Sequence, residues 1–501
     1  MDQLSARWKK SAPRQCLPLA ATLVISAGAP IYAQSPPANA PSSQIPYVDC
    51  ARVTAASSTM PDDRLSHAED NSGDLCPQAI KSGDFWDPLK CVRLGPPLWY
   101  VSFGAELRSS YELYRNYNWG SGPQDRNGYY LNRVIAHADF HFGRTVGIFA
   151  EVQSGLEFGR NGGPRPAIDE DKLDVSQLFL ELRSSTHRHR VPVAVRIGRQ
   201  DLNYGDGSLV SIRDLNVRRP FDGIKLSIQP QKWNIDAFAV KPVVTTPGFF
   251  DDPPDHTQTF WGIWVTKKKE QSFVRELDLY YLGLDRKNAQ FEPGTARERR
   301  NTLGFRAHET AGNLALLQEG DLQIGTFGPG RLLAWKVAQG VSYSIARVRY
   351  HPILELQGAI SSGDKNPQNA GLQTFYPLFP TGVYYGYMVF TSGSLNAIVA
   401  HPSVEMQLSK SFSLNGDSFS LWRQSSADGL YSQPGMFLRT GITSQSRYIG
   451  ATQDLSLAWH VDRHTTVQFV GAYYEAGPYL RETQPRGRDA TYFSAQANYA
   501  F

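Results

Sequence analysis

The chain has 501 residues, with 51 Lys and Arg against 47 Asp and Glu. This near-balance speaks against nucleic acid as a partner. Beyond the first 33 residues no apolar run reaches the roughly 18 residues of a helical membrane span, so the length is read as two or three soluble domains or one large barrel.

Residues 1–33 read as a secretory signal. Arg7, Lys9, Lys10 and Arg14 form a basic start, Leu17 to Ala29 is apolar and small, and Ile31-Tyr32-Ala33 precedes Gln34 as a cleavage site. The apolar run is too short and Pro-interrupted for an anchor. Removing it takes away four basic side chains and one acidic one and leaves the remainder near neutral. Residues 34–97 are Pro- and Ser-rich with little periodicity, and are expected to form a periplasmic extension or partial plug. They carry Cys50, Cys76 and Cys91. An odd count allows one disulfide and leaves one thiol. Cys76–Cys91 closes the shorter loop, but spacing alone leaves the pairing open. No Cys/His pattern for zinc is present.

From residue 98 to 501 the pattern is strand after strand. Trp99, Val101, Phe103, Ala105, Leu107, Tyr111 and Leu113 alternate with Ser102, Gly104, Glu106, Arg108, Ser110 and Glu112. The fourth segment sets Ser176, Leu178, Leu180 and Leu182 against Gln177, Phe179, Glu181 and Arg183. Period two demands strands with one apolar face. About eighteen such segments, each of membrane-crossing length, predict an all-β transmembrane antiparallel barrel with an N-terminal periplasmic extension. Their centres fall at residues 106, 136, 151, 178, 197, 226, 238, 263, 281, 304, 320, 338, 357, 402, 418, 454, 470 and 496.

The connections carry an independent signal. Those after even strands are short, as at Gly143-Arg144, Gln229 to Lys232 and Asp462 to His464. Those after odd strands are mostly long, as at Tyr204 to Pro220, Asn288 to Arg300, Gly363 to Leu395 and Ser425 to Gln445, with Gly328 to Arg331 as an exception. Short periplasmic turns and long extracellular loops characterise outer-membrane barrels, and eighteen strands enclose an aqueous channel. The last strand, Thr491 to Phe501, puts Phe493, Ala495, Ala497, Tyr499 and Phe501 on one face and ends on an aromatic. It is the expected contact for the barrel-assembly machinery. The chain is therefore placed in the outer membrane of a Gram-negative cell.

Parity assigns Arg108, Arg133, Arg183, Arg196, Lys225, Arg306 and Lys336 to the lumen, with Glu106, Glu112, Asp139, Glu151, Glu181, Glu276 and Asp278 as acidic neighbours. Arg199 has the opposite parity, so it lies beyond the lipid or is re-aimed by a bulge. Arg213, Arg218 and Arg219 lie in the following loop, which is expected to fold inward. A guanidinium lining lowers the barrier for carboxylates. His137, Asp139 and His141 share one strand face. They read as a lumenal hydrogen-bond network rather than a metal site. No G-x-S-x-G, H-E-x-x-H, P-loop or G-x-G-x-x-G is present, so no catalysis, cofactor or metal is expected.

Several stretches resemble the alginate-export outer-membrane porins: Trp86-Asp87-Pro88-Leu89-Lys90, Phe103 to Arg108, Arg196-Ile197-Gly198-Arg199-Gln200-Asp201-Leu202-Asn203-Tyr204-Gly205-Asp206-Gly207, Phe221-Asp222-Gly223, Phe375 to Pro380, and Trp422-Arg423-Gln424-Ser425. The resemblance covers roughly residues 86–501 and adds Arg423 to the candidate lumenal set. It does not account for the three-Cys segment. It implies passive export of an anionic polysaccharide such as alginate, with outer-membrane lipid and periplasmic export components as partners. The alternative is an anion-preferring porin taking up small sugar acids or other nutrients. An outer-membrane enzyme or receptor on the same barrel is the third reading.

Overall fold

The computed structural model describes residues 83–501, apart from 97, 185–190, 269–271, 383, 385 and 389–392. The expected signal peptide and most of the N-terminal extension, with Cys50 and Cys76, lie outside the described residues. Cys91 is disulfide-bonded, and its partner also lies outside them.

Eighteen antiparallel strands form the wall. They are β1 (Trp99–Arg115), β2 (Tyr129–Phe142), β3 (Val146–Phe158), β4 (Asp171–Arg183), β5 (Val193–Gln200), β6 (Phe221–Ile228), β7 (Trp233–Pro242), β8 (Gln258–Lys268) and β9 (Val274–Phe291). The second half is β10 (Gly294–Ala311), β11 (Leu314–Phe327), β12 (Gly330–Ser344), β13 (Ile353–Ser361), β14 (Ala397–Gln407), β15 (Phe412–Arg423), β16 (Tyr448–His460), β17 (Thr465–Ala476) and β18 (Ala490–Ala500). Each strand pairs with the next. β18 then pairs with β1 from Glu106↔Ala500 to Arg115↔Thr491, which closes the sheet. Closure pairs the two edge strands with each other along this seam, as lipid requires. Each predicted strand centre lies inside one of these strands.

The two faces invert the usual arrangement of a globular protein. On β4, Leu178, Leu180 and Leu182 are exposed on the outside, whereas Phe179 and Glu181 are buried within. The same outward apolar row continues through Leu107, Val134, Ile197, Ile224, Ile263, Leu303, Val337 and Leu455. One expected position differs. Ser176 has lipid-facing parity, but a register shift between β3 and β4 turns it inward, where its hydroxyl donates to Glu151 at 2.7 Å.

The short turns fall where spacing predicted them. Gly143 and Gly312 supply the positive φ that two such turns use, at 74° and 61°. One long loop was expected and is absent. Residues 288–300 are not a loop, because β9 and β10 run on to a turn at Glu292 and Pro293. Above the lipid, both faces of this hairpin are polar: Arg286, Glu298 and Arg300 inside, Asp285, Arg297 and Arg299 outside. The ladder continues while the apolar alternation that marks a strand in sequence stops.

The seam is locked from the periplasmic end. Short strand Val92–Arg93 pairs with Tyr100 and Val101, below the point where β18 ends. Phe501 exchanges backbone hydrogen bonds with Ala105 at 3.1 and 3.2 Å. Trp86 stacks on the Phe501 ring at 3.7 Å, and its indole N–H donates to the Tyr499 hydroxyl at 2.6 Å. Deleting Phe501 removes both backbone bonds and the stack, and should lower the heat-modifiable, membrane-inserted fraction. Trp86→Ala keeps both backbone bonds but removes the stack, worth about 1 kcal/mol beyond its area, and the indole hydrogen bond to Tyr499, and should lower the unfolding temperature of inserted protein. Gel-shift heat modifiability reads both, and unchanged values would remove the seam contact from the account.

Candidate functional site

The lumen is crossed by two of the long loops, residues 201–220 and 362–396. The first begins with the family-like stretch that ends in Tyr204-Gly205-Asp206-Gly207. Gly205 and Gly207 have φ of 58° and 75°, which reverses the chain so that Tyr204 bridges Val210. The second loop then lies alongside it. Ser211 N–H donates to Phe379 O and Phe379 N–H to Leu209 O, both at 2.8 Å. Leu202, Leu209, Val210, Phe375 and Phe379 bury their side chains with Phe221 and Phe260 of the wall. A hydrophobic core therefore forms inside the barrel, and burial of these side chains is what draws the loops inward. Gly155 on β3 leaves room for it, since a Cβ there would lie 2.8 Å from Val217 and 3.1 Å from Asn216 O.

At one end of the first loop, Asp214 meets the wall. Arg108 Nη2 donates to its Oδ2 at 2.8 Å and Arg133 Nη1 to its Oδ1 at 2.6 Å. Arg218 bridges Asp214 at 3.1 Å and Glu106 at 3.1 Å, and Arg133 also binds Glu106. Burial pushes the Asp214 carboxyl up, but the guanidiniums of Arg108, Arg133 and Arg218 outweigh it and hold it well below the usual range. The cluster carries three cations and two carboxylates.

The far end of the loop meets the opposite wall with the reverse balance. Ser208 donates to Glu319 at 3.0 Å, and Lys336 donates to the same carboxylate at 2.7 Å. Arg306 lies 3.3 Å from Glu276, 3.7 Å from Asp278 and 4.0 Å from Asp206. Tyr384 of the second loop donates to Asp206 at 3.1 Å. That loop continues to β16, where the Tyr387 backbone N–H donates to Asp454 at 3.0 Å.

A third group lies toward the periplasmic turns. Register aligns Tyr100, His141, Gly147, Glu181, Arg196 and Lys225 in one inward row. Glu181 accepts from both Arg183 and Arg196. Arg196 also lies 4.8 Å over the Phe179 ring, and Lys225 is 3.9 Å from Asp236. His141 binds Asp139 at 2.7 Å and stacks on Tyr100, while His137 stacks on Phe149. His137 thus contacts a different partner from the Asp139–His141 pair.

The other candidates are placed elsewhere. Arg199 is not lumenal. It stays on the outer face, donating to Asp222 at 2.9 Å and to Asp252 O at 2.8 Å, and ties β5 to the loop 243–257. The cause is the shortness of β5 and β6: that loop takes the free edge of β4, with Phe250 N–H on Leu173 O at 2.9 Å. Arg213 donates to Ala167 O at 2.5 Å. Arg219 donates to Ser211 O at 3.3 Å and Pro380 O at 3.4 Å. Arg423 is fully buried and spends its donors on the carbonyls of Ser426, Asp428, Gly441, Ser444 and Ser446. These three fasten loops. Among the channel-side cations, Arg108, Arg183 and Arg196 keep 13, 39 and 15% of their side chains exposed, whereas Arg133 keeps none. Asp206, Asp214, Glu319 and Tyr384 were absent from the expected set. Asp206, Asp214 and Tyr384 lie in loops, where strand parity says nothing, and Glu319 stands on β11 but meets the loop through Ser208; Asp206 was visible only as part of the family-like stretch.

The closed barrel, its outward apolar belt and its in-folded loops define an outer-membrane channel protein. A model of the alginate export family matches residues 99–493, and the chain belongs to that family. No curated protein matches it. Solved structures share the fold at low identity. Pseudomonas aeruginosa OccD3 (OpdP) is 12% identical with a TM-score of 0.54, over 82% of this chain and 93% of that one. P. aeruginosa OpdK with vanillate is 10% identical, TM-score 0.54, over 80% and 98%. Acinetobacter baumannii OccAB1 is 12% identical, TM-score 0.55, over 80% and 96%.

Arg133 is buried between two carboxylates that both keep Arg108 and Arg218, so its removal costs the charge-assisted bonds it makes itself, roughly 1.5–3 kcal/mol apiece. Arg133→Ala should release the loop 201–220 from the β1–β2 wall. Single-channel conductance and its open-state noise should both rise, and the loop should become a protease site. Unchanged conductance in an inserted variant would mean that this cluster does not hold the constriction.

Proposed function

We propose that this chain is a passive outer-membrane channel for export of an anionic polysaccharide such as alginate. The observation that carries the reading is the cluster of Arg108, Arg133 and Arg218 around Glu106 and Asp214, where an in-folded loop meets the wall with one cation in excess. Family membership supports it. A permeating carboxylate passes Arg108 in the constriction, and Arg183 and Arg196 toward the periplasmic turns. Each offers a charge-assisted hydrogen bond already half-satisfied by a protein carboxylate. Competition of this kind gives attraction without a deep trap, which conduction needs. Arg306, Lys225, Glu106 and Asp139 belong to the surrounding networks that set the local field.

We read the chain as a channel and not as an enzyme, a reading that its family membership and barrel fold support. The barrel-assembly machinery, acting on β18, and periplasmic export components are the protein partners of this reading. Uptake of small organic anions is the second reading. The likeness to a barrel solved with vanillate favours it.

Charge reversal tests the anion pathway. At about 5 Å and an effective dielectric near 20, one unit charge interacts with a carboxylate by roughly 3 kcal/mol before screening. Wild-type protein in planar bilayers should prefer anions. Arg108→Glu with Arg196→Glu should shift the reversal potential toward cation selectivity, most strongly at low salt. A cation-selective wild type would overturn the anion pathway; an unshifted double variant would return these two residues to the scaffold.

A further inference from the structure

The outer surface carries a charged row that transport does not use. Strand register places Asp285, Arg299, Thr326 and Arg331 side by side across β9, β10, β11 and β12. All four have outward parity. The next row toward the periplasm is Gly283, Asn301, Ile324 and Leu333, and the one after it is Tyr281, Leu303, Leu322 and Trp335. Leu303, Leu322, Ile324, Leu333 and Trp335 are exposed. The charged row therefore sits directly on the extracellular border of the lipid-facing belt. Arg297 lies two residues further along β10, and exposed Lys287 stands near it on β9.

Cations outnumber carboxylates here. Asp285 takes Arg297 at 2.6 Å and Arg299 at 3.4 Å. Those two side chains nevertheless remain 53% and 61% exposed. Among the described residues Arg331 and Lys287 have no carboxylate partner. Adjacent strands are about 4.8 Å apart, so Arg299 and Arg331, two strands apart, stand about 10 Å from each other. This is the spread of an extended anionic headgroup rather than of a single oxyanion. Elsewhere the extracellular border carries aromatics, such as Tyr130, Phe158 and Tyr473.

We propose that the outer face of β9–β12 binds a phosphorylated, acylated glycolipid of the outer leaflet, the lipid A part of lipopolysaccharide. Arg297, Arg299 and Arg331 hold its phosphates. Guanidinium groups suit this because each offers paired donors to phosphate oxygens and is weakly hydrated. The acyl chains lie on Leu303, Ile324, Leu333 and Trp335 below. Trp335 and Tyr281 have the amphipathic rings favoured at that depth. The site concerns the outer surface and is independent of what passes through the lumen.

The test uses the full-length inserted protein, purified in detergent with a chelator to remove bridging metal ions. Bisphosphorylated lipid A is titrated and complexes are counted by native mass spectrometry. Wild type should bind it, and Arg297→Ser/Arg299→Ser/Arg331→Ser should bind about tenfold or more weakly, since three charge-assisted contacts are lost. The triple Lys variant should recover most of the binding. Dephosphorylated lipid A should bind wild type no better than the Ser variant, and millimolar inorganic phosphate should not displace the lipid. Equal binding of the heat-modifiable Ser variant, or equal binding of dephosphorylated lipid A, would overturn the site. Full displacement by inorganic phosphate would also overturn it, as the mark of a free-anion site.

Discussion

Everything in this molecule follows from the demand that backbone groups in lipid be bonded within the protein. An open sheet leaves two unpaired edges in hydrocarbon, each unsatisfied group costing several kcal/mol. Here the edges of β1 and β18 satisfy each other, and Phe501 carries the ladder to Ala105. Closure of this many strands opens a wide lumen, and that width creates the second problem, an interior with no side chains long enough to fill it. The two in-folded loops answer it. They build a small apolar core around Val210 and Phe379 and pin it to the wall by ion pairs at Asp214 and Asp206.

The ion pairs give the interior its polarity. On one side guanidiniums exceed carboxylates around Asp214. On the other, Glu276, Asp278 and Asp206 surround Arg306. The lumen is therefore two-sided rather than uniformly positive. A polymer of carboxylates threading it would track the Arg108 side and the pair of Arg183 and Arg196, with the acidic side opposing adhesion. Buried pairs of this type contribute little net stability. Their effect is to fix where the loops sit, and so the shape of the passage.

How much was legible in sequence depends on which constraint acts on a residue. Strand positions were readable because period two is imposed by lipid on one side and water on the other, and all eighteen centres lie in strands. That signal fails wherever one side changes. It failed at residues 288–300, where the hairpin leaves the membrane and both faces become polar. It failed at Ser176, where a bulge shifts parity by one. The inward faces of Arg108, Arg133, Arg196 and Arg306 followed from parity alone. Their exposure did not, because parity cannot tell whether a loop later covers a side chain. Arg133 ends under Asp214, and Arg423 under the carbonyls of loop 424–447. Pairing across more than a hundred residues, as in Ser208 with Glu319, has no local trace at all.

The central claim is that the lumen conducts a carboxylated polymer. The most direct measurement is single-channel recording of the wild-type protein with uronate oligomers of increasing length added on the periplasmic side. The account predicts current blockades whose duration grows with oligomer length and whose frequency rises when the voltage drives anions through, with neutral dextran of equal size giving none. Blockades indifferent to charge, or a lumen that ignores uronates, would contradict it.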